Sequence, residues 1–512
     1  MAIGDGVITS LDQEAEALAG PGVERVELTG RTLVPAFRDG HVHPVWGARM
    51  LAGAPVRGSR SVEEVAERVA KFGAATPSAE WITGIGYDPA LLAAGRGDAV
   101  DLDRATTERP VFLWASDLHT AWVNSEALRR AGFGLATHDP AGGVIIRRGD
   151  GSPSGALLEA AADEVWRLVP EPSLDVRTND LRRALLRLRS VGIAWAQEAS
   201  AGPGDAAAYL EADTLPVAVN LGLRAEPGSW RDQRDLFRET RANAVARRTH
   251  LCANTVKIFV DGVVETGTAA MLEPYSDDPS SRGSLVWEPR ELREAAAAFD
   301  ADGFQVHLHA IGDAGVRTAL HVVRHVIDSN GPRDRRPVLA HLQVVDSHDL
   351  ARFAELGVTA CFQPLWAQQD HLMLELTEPR LGPERASLQY PIGELWRRGT
   401  RISFGSDWPV TSPDPLKGIA VAVTRQTKDG GPPEGWLPHH RLTLDQAVAA
   451  ATGNVAFQAF DERRAGRIAA GQRADLCVLD TDLTTVAPAR IAQAHVERMW
   501  LSGVELDPTE AA

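Results

Sequence analysis

Residues 37–44 read FRDGHVHP, behind the short apolar lead TLVPAF (32–37). His41 and His43 stand two apart, and on a β-strand residues two apart share a face. Both imidazoles then point the same way at the end of one strand. Neutral imidazoles converging in this manner chelate a divalent ion well. Two structural or surface histidines would give the same string, so the pair needs company before it carries chemistry.

Company follows along the chain. Further strand-like runs are GIAWAQEA (192–199), LPVAVNLGLRA (215–225), TVKIFVDG (255–262), FQVHLHAI (304–311), PVLAHLQ (337–343), GVTACFQP (357–364) and RISFGSDW (401–408). Between them, 176–190, 289–301, 313–328 and 347–356 repeat at helical spacing. Strands alternating with helices predict a parallel sheet. Counted with 32–37, eight strands predict an α/β chain closed as a (β/α)8 barrel of the TIM kind. In that architecture chemistry sits at the C-terminal ends of the strands. His309 ends the fifth run, His341 lies on the sixth and Asp407 ends the eighth. With His41 and His43 they form a nitrogen and oxygen donor set suited to zinc, with manganese, iron or nickel as substitutes. His307 shares the face of His309 one layer deeper, as a core or supporting group.

Lys257 lies in the apolar fourth run, in a chain with four lysines among its 53 basic residues. A protonated amine beside metal ions would be repelled, and burial disfavours the ammonium form. Carboxylation by carbon dioxide would turn it into an anionic bridging ligand. A plain buried lysine paired with Asp261 or Glu265 is the other reading.

Two regions break the rhythm. Residues 51–171 carry many Gly and Pro punctuations and aromatic pieces, which predicts an insertion after the first barrel strand. The ends read as short strands: DGVITSL (5–11), VERVELTG (23–30), GRIAAGQRADLCVLD (466–480) and HVERMWLSGVEL (495–506). Terminal strands outside a closed barrel must pair with each other, so 1–33 and 463–512 are expected to form a composite β-sandwich domain. The barrel would then take 34–50 and 172–462.

The 512 residues carry a net charge of −16, the opposite of a phosphate-backbone binder. No run of apolar residues is long enough to span a membrane. Cys252, Cys361 and Cys477 are sparse and odd in number, which fits a reducing compartment and a cytoplasmic location. The expected partner is a small-molecule substrate rather than nucleic acid or membrane. A second copy of the chain, as a homo-oligomer, is compatible with this composition.

Taken together, the order HxH, Lys, His, His, Asp resembles the amidohydrolase superfamily with a binuclear metal centre. The strings GRTLVPAFRDGHVH, DLHTAWVNSEAL, VKIFVDG, HLHAIGDAGV, FQPLWA and SFGSDWPV are similar to its amidohydrolase 3 branch, which includes N-substituted formamide deformylase. The resemblance covers nearly the whole chain. It implies that His41, His43, His309, His341 and Asp407 are metal ligands and that carboxylated Lys257 is the bridge between two divalent ions, zinc being the first expectation. It also implies hydrolysis of an amide or N-formyl C–N bond by a metal-bridging hydroxide, with Asp407 moving the proton. His119, from the insertion, is a candidate for the developing oxyanion. Trp46, Tyr87, Trp114, Trp366 and Trp408 are candidates for an apolar rim. Gln197-Glu198 stands on the second strand where relatives commonly carry a His-Asp pair.

Three other functions compete. A deaminase of this superfamily would commonly show HxxE after the fifth strand, whereas this chain reads HAIGDAG. A cyclic-amide or ester hydrolase would use the same ligands. A non-catalytic, metal-binding regulatory protein would be marked by lost ligands, and every ligand position is filled.

Overall fold

The computed structural model describes residues 1–507 apart from 19, 93–96, 141 and 248–249. Its centre is an eight-stranded sheet of β1 (Phe37–Val42), β2 (Ile193–Ala201), β3 (Ala218–Arg224), β4 (Leu251–Phe259), β5 (Gln305–Ala310), β6 (Val338–His341), β7 (Thr359–Phe362) and β8 (Arg401–Phe404). Each strand pairs in parallel with the next in sequence. Helices such as Leu174–Arg189, Pro289–Ala301 and Asp313–Asn330 connect them. The result is the nearly closed parallel barrel that alternation of strands and helices predicts.

The seam between β1 and β8 is closed by side chain and loop rather than by a ladder. Gln458 donates to the Gly40 carbonyl at 2.8 Å and accepts from the Ser403 hydroxyl at 2.6 Å. Just past the strands, the Asp407 N–H donates to the His41 carbonyl and the His43 N–H to the Trp408 carbonyl, both at 2.8 Å. Glycine is required here by close approach. A Cβ at Gly40 would stand 2.9 Å from the Phe404 oxygen, and one at Gly405 2.6 Å from the His41 backbone.

Period-two alternation sorts the strands. Val219, Leu221, Leu223, Val256 and Ile258 belong to the core shared with the surrounding helices. The opposite face of the same strands carries the polar side chains. Asn220 donates to Gln197 Oε1 and to Thr255 Oγ1, each at 2.8 Å, and Thr255 meets Gln305 Oε1 at 3.1 Å. These buried amides and hydroxyl make a floor across the barrel. Lys257 and His307 stand on the next inward positions, toward the C-terminal mouth.

Two sequence expectations change. TLVPAF is not a barrel strand: Thr32–Pro35 pairs with Leu476–Leu479, so Val34 and Pro35 join the terminal sheet and the barrel begins at Phe37. Residues 23–30 form no strand: Val23, Val26 and Leu28 find no face to cover, and nearly all of the segment stays exposed. The termini do meet. Val496–Leu501 and Val504–Leu506 complete a four-stranded antiparallel sheet. A separate hairpin, Ala2–Gly4 with Val7–Ser10, lies against it through a small core of Ile8, Ala474 and Leu476.

Within 51–171 a second sheet of five strands runs in the spatial order Ile82–Tyr87, Val111–Ala115, Thr120–Val123, Pro153–Glu159, Gly143–Arg147. Phe112, Trp114 and Trp166 pack at its heart. Among the described residues no helix is long and apolar enough to cross a membrane.

Candidate metal centre

β1 ends at the mouth, and its inward His41 points at Asp407 from the loop after β8. His41 Nε2 lies 3.4 Å from Asp407 Oδ1, and His43 Nε2 lies 3.0 Å from the same oxygen. Ligands held ~2.1 Å from one ion stand ~3.4 Å apart in a tetrahedron, so this spacing already suits a shared cation. His341 joins them: one donor atom each from His41, His341 and Asp407 fall within 4.8 Å of one another. The His309 ring sits 4.7 Å from that of His341, centroid to centroid. Lys257 Nζ approaches His41 Nε2 at 3.4 Å. All six side chains that the sequence singles out as ligands therefore gather at one end of the barrel.

Protonation follows from burial. Loss of water, with the Lys257 amine nearby, holds His41, His307 and His309 well below the ordinary imidazole value. Burial and His309 do the same to His341. These rings are neutral and present lone pairs. His43 differs: burial works against its charge, but the Asp407 and Glu198 carboxylates prevail and raise it to about 9. A proton and a metal compete for the same lone pair. Burial pushes the Lys257 amine down to about 7, against the pull of Asp407, so neutral amine is available near neutral pH.

The donor set also fits a cation by what it leaves unsatisfied. Asp407 Oδ1 is buried without a well-formed hydrogen bond, between the Nε2 atoms of His41 and His43. Most buried polar atoms in folded proteins are paired. A carboxylate oxygen facing imidazole nitrogens with no well-formed bond is what a cation would resolve. Backbone strain gathers here too. His341 and Asp407 hold φ of 77° and 53°, and non-glycine residues in that region carry about 1–3 kcal/mol of strain.

Around the six stand supports, of which Gln363 and Tyr209 carry no mark in the sequence. His307 Nε2 lies 2.9 Å from His41 Nδ1, which turns His41 Nε2 toward the mouth and matches its expected supporting position. Gln363 Oε1 holds His341 Nδ1 at 2.8 Å. Glu198 lies 3.5 Å from His43 Nδ1 and accepts the Tyr209 hydroxyl at 2.9 Å. Asp261 accepts the backbone N–H groups of Ala270, Ile311 and Gly312 beside His309. Glu265 accepts the Thr377 hydroxyl at 2.7 Å. Neither Asp261 nor Glu265 pairs with Lys257, so the plain ion-pair reading of that lysine is not what the structure has.

His119 reaches the site from the five-stranded sheet. Its ring centroid is 6.1 Å from that of His309, and its Nδ1 meets Glu159 Oε2 at 2.8 Å. Thr268, from the loop after β4, donates to Glu159 Oε1 at 2.9 Å. Burial opposes charge on His119, but Glu159 overrides it and raises the imidazole to about 9. Nothing in the sequence marks Glu159, a common residue forty positions from its partner. Of the five aromatic candidates, Trp366 stacks its ring on a candidate ligand, His341, at 5.1 Å. Tyr87 and Trp114 are buried inside the insertion, Trp46 packs on Trp114 and Trp166, and the Trp408 ring fills the space beside Gly47.

Comparison with known proteins finds relatives along nearly the whole chain. The sequence pattern of the Amidohydrolase family matches residues 24–506. The chain is 31% identical to Protein LONG AFTER FAR-RED 3 of Arabidopsis thaliana, over 94% of this chain and 84% of that one. It is 26% identical to N-substituted formamide deformylase of Arthrobacter pascens, over 97% and 92%. Among solved structures, an uncharacterized metal-dependent hydrolase from Pyrococcus furiosus superposes with a TM-score of 0.70 at 26% identity, covering 94% of each chain.

Proposed function

Because this chain belongs to the amidohydrolase family, a family of metal-dependent hydrolases, we propose that it hydrolyses a C–N bond in an amide or N-formyl group of a small molecule. One observation carries the reading: buried neutral imidazoles and the unpartnered Asp407 Oδ1 converge at the barrel mouth. His41, His43 and Asp407 would hold one divalent ion and His309 with His341 a second, with carboxylated Lys257 between them. Zinc suits this donor set best, and manganese, iron or nickel could replace it. Bound there, the ions supply Lewis-acid polarisation of a carbonyl and a water of lowered pKa.

The rest is the work of the chain. Asp407 takes a proton from the attacking water and gives it to the leaving nitrogen as the C–N bond breaks. The products are an acid and an amine. His119, charged through Glu159, aims its Nε2–H at the oxygen on which negative charge develops. Gln363, His307 and Glu198 keep three imidazoles turned toward the reaction, since outer partners fix ring orientation. The same reading divides the chain into a terminal β domain (1–33 and 463–512), barrel (34–50 and 172–462) and insert (51–171), with the first boundary moved past Pro35. Three free thiols support a reducing, cytoplasmic setting.

The test joins metal analysis to a substrate screen over N-acyl amines, N-formyl compounds, cyclic amides and esters. About two divalent ions per chain are expected, with hydrolysis abolished by chelation. A carbon-13 label from bicarbonate should appear on Lys257 of the metal-loaded protein. Metal-free protein with chelator-indifferent activity would overturn the reading. Ammonia released from a ring, with no acid formed, would replace it with deamination.

A further inference from the structure

β3 and β4 climb the barrel side by side. On β3 the inward positions are Asn220, Gly222 and Arg224, and on β4 they are Thr255, Lys257 and Phe259, as the floor contacts at Asn220 and Thr255 fix. Arg224 is thus the last inward residue of its strand, one step above Gly222 and at the mouth. Its guanidinium carbon lies 5.2 Å from the centroid of the Phe259 ring, and that ring lies 5.1 Å from His309. One aromatic ring separates a fixed cation from a candidate metal ligand.

The cation is loosely engaged. Arg224 Nε lies 2.6 Å from Glu226 Oε1, with the two side chains 40% and 41% exposed. A half-exposed pair of this kind, partly screened by water, contributes little more than ~1 kcal/mol, so an incoming carboxylate can compete with Glu226. Asp163 is the other acid nearby. Burial pushes both the Asp163 and Glu226 carboxyls up while Arg224 pulls them back. Guanidinium matches a carboxylate with two parallel N–H bonds, and the face of Phe259 below keeps the fork in place.

We propose that Arg224 receives a carboxylate of the substrate, so that the compounds hydrolysed are N-acyl or N-formyl amines carrying an acid group a few bonds from the cleaved nitrogen. This rests on the hydrolase reading above and narrows it. The apolar middle of such a molecule would lie over Phe259, between its acid end at Arg224 and its amide at the His309 side of the centre.

The experiment compares N-acetyl-4-aminobutanoate with its primary amide, by turnover and by calorimetric binding to the metal-loaded protein. The acid should bind about tenfold more tightly or better, as a charge-assisted bidentate contact implies. Arg224→Gln should weaken the acid at least tenfold more than the amide, through KM rather than kcat, and Arg224→Lys should restore part of the difference. Acid and amide bound alike, an equal loss on both in Arg224→Gln, or no binding of the acid at millimolar concentration would each overturn the proposal. Arginine-dependent binding of the acid without turnover of either probe would leave the carboxylate subsite standing and remove the hydrolase reading. Equal turnover of both would do the reverse.

Discussion

The barrel holds two buried polar clusters, and they are built on opposite principles. In the floor, Gln197, Asn220, Thr255 and Gln305 are uncharged and hydrogen-bonded to each other at 2.8–3.1 Å. None of their side-chain atoms is left unpartnered. At the mouth, one and two inward positions higher, the groups are ionisable, a buried carboxylate oxygen of Asp407 lacks a well-formed hydrogen bond, and His341 and Asp407 sit at positive φ. The floor spends nothing on strain and offers nothing to a ligand. The mouth carries strain and a carboxylate oxygen that a bound cation would satisfy. Neighbouring rungs of the same strands thus separate a structural network from a reactive one.

The sharpest way to break that contrast is at Asp407. Asp407→Asn keeps the shape and an oxygen that can touch a metal, but it cannot carry a proton. A loss of about 10⁴-fold in kcat is expected, with thermal unfolding little changed. Near-normal turnover in the folded variant would mean that the mouth's unpaired carboxylate is not the base.

Much of the mouth is legible in the sequence, because strand ends and period-two spacing put His41, His43, His309, His341 and Asp407 on the same side before any coordinates exist. Lys257 stands out by composition alone. The supports do not. Gln363, Tyr209 and Glu159 are ordinary residue types whose meaning comes from where a loop, a helix or the insertion folds back. Arg224 becomes interesting only once register shows that it faces inward. In the fold, TLVPAF looked like one strand because the change of sheet at Ala36 leaves no mark in hydrophobicity. VERVELTG carries β-branched and apolar residues at Val23, Val26 and Leu28, yet it pairs with no strand.

His119 tests a smaller part of the mouth. His119→Gln removes a charged donor, and a fall of about 10²-fold in kcat is expected. With a folded pKa near 9 against an unperturbed value of about 6.5, the imidazolium is fully present below about 6.5 and lost as pH rises through about 9. Activity, and the stability its ion pair contributes, should both decline over that interval. Glu159→Gln should pull the alkaline limb of the rate profile down toward neutrality. An unmoved limb would show that another group sets it.

The smallest effect belongs to the floor and tests the contrast from the other side. Thr255 Oγ1 accepts from Asn220 and meets Gln305 Oε1. Thr255→Val keeps the volume, but it strands an Asn220 N–H and a Gln305 oxygen in a place water does not reach. Leaving such groups unsatisfied should destabilise the protein by about 1–3 kcal/mol in denaturant unfolding. Metal content and kcat should stay as they were, because the floor's hydrogen bonds run among Gln197, Asn220, Thr255 and Gln305, one inward step below Lys257. The two sets of variants would then split cleanly, with Asp407→Asn losing rate without stability and Thr255→Val losing stability without rate. Loss of bound metal in Thr255→Val would instead mean that the floor sets the geometry of the mouth, and that the two networks work as one.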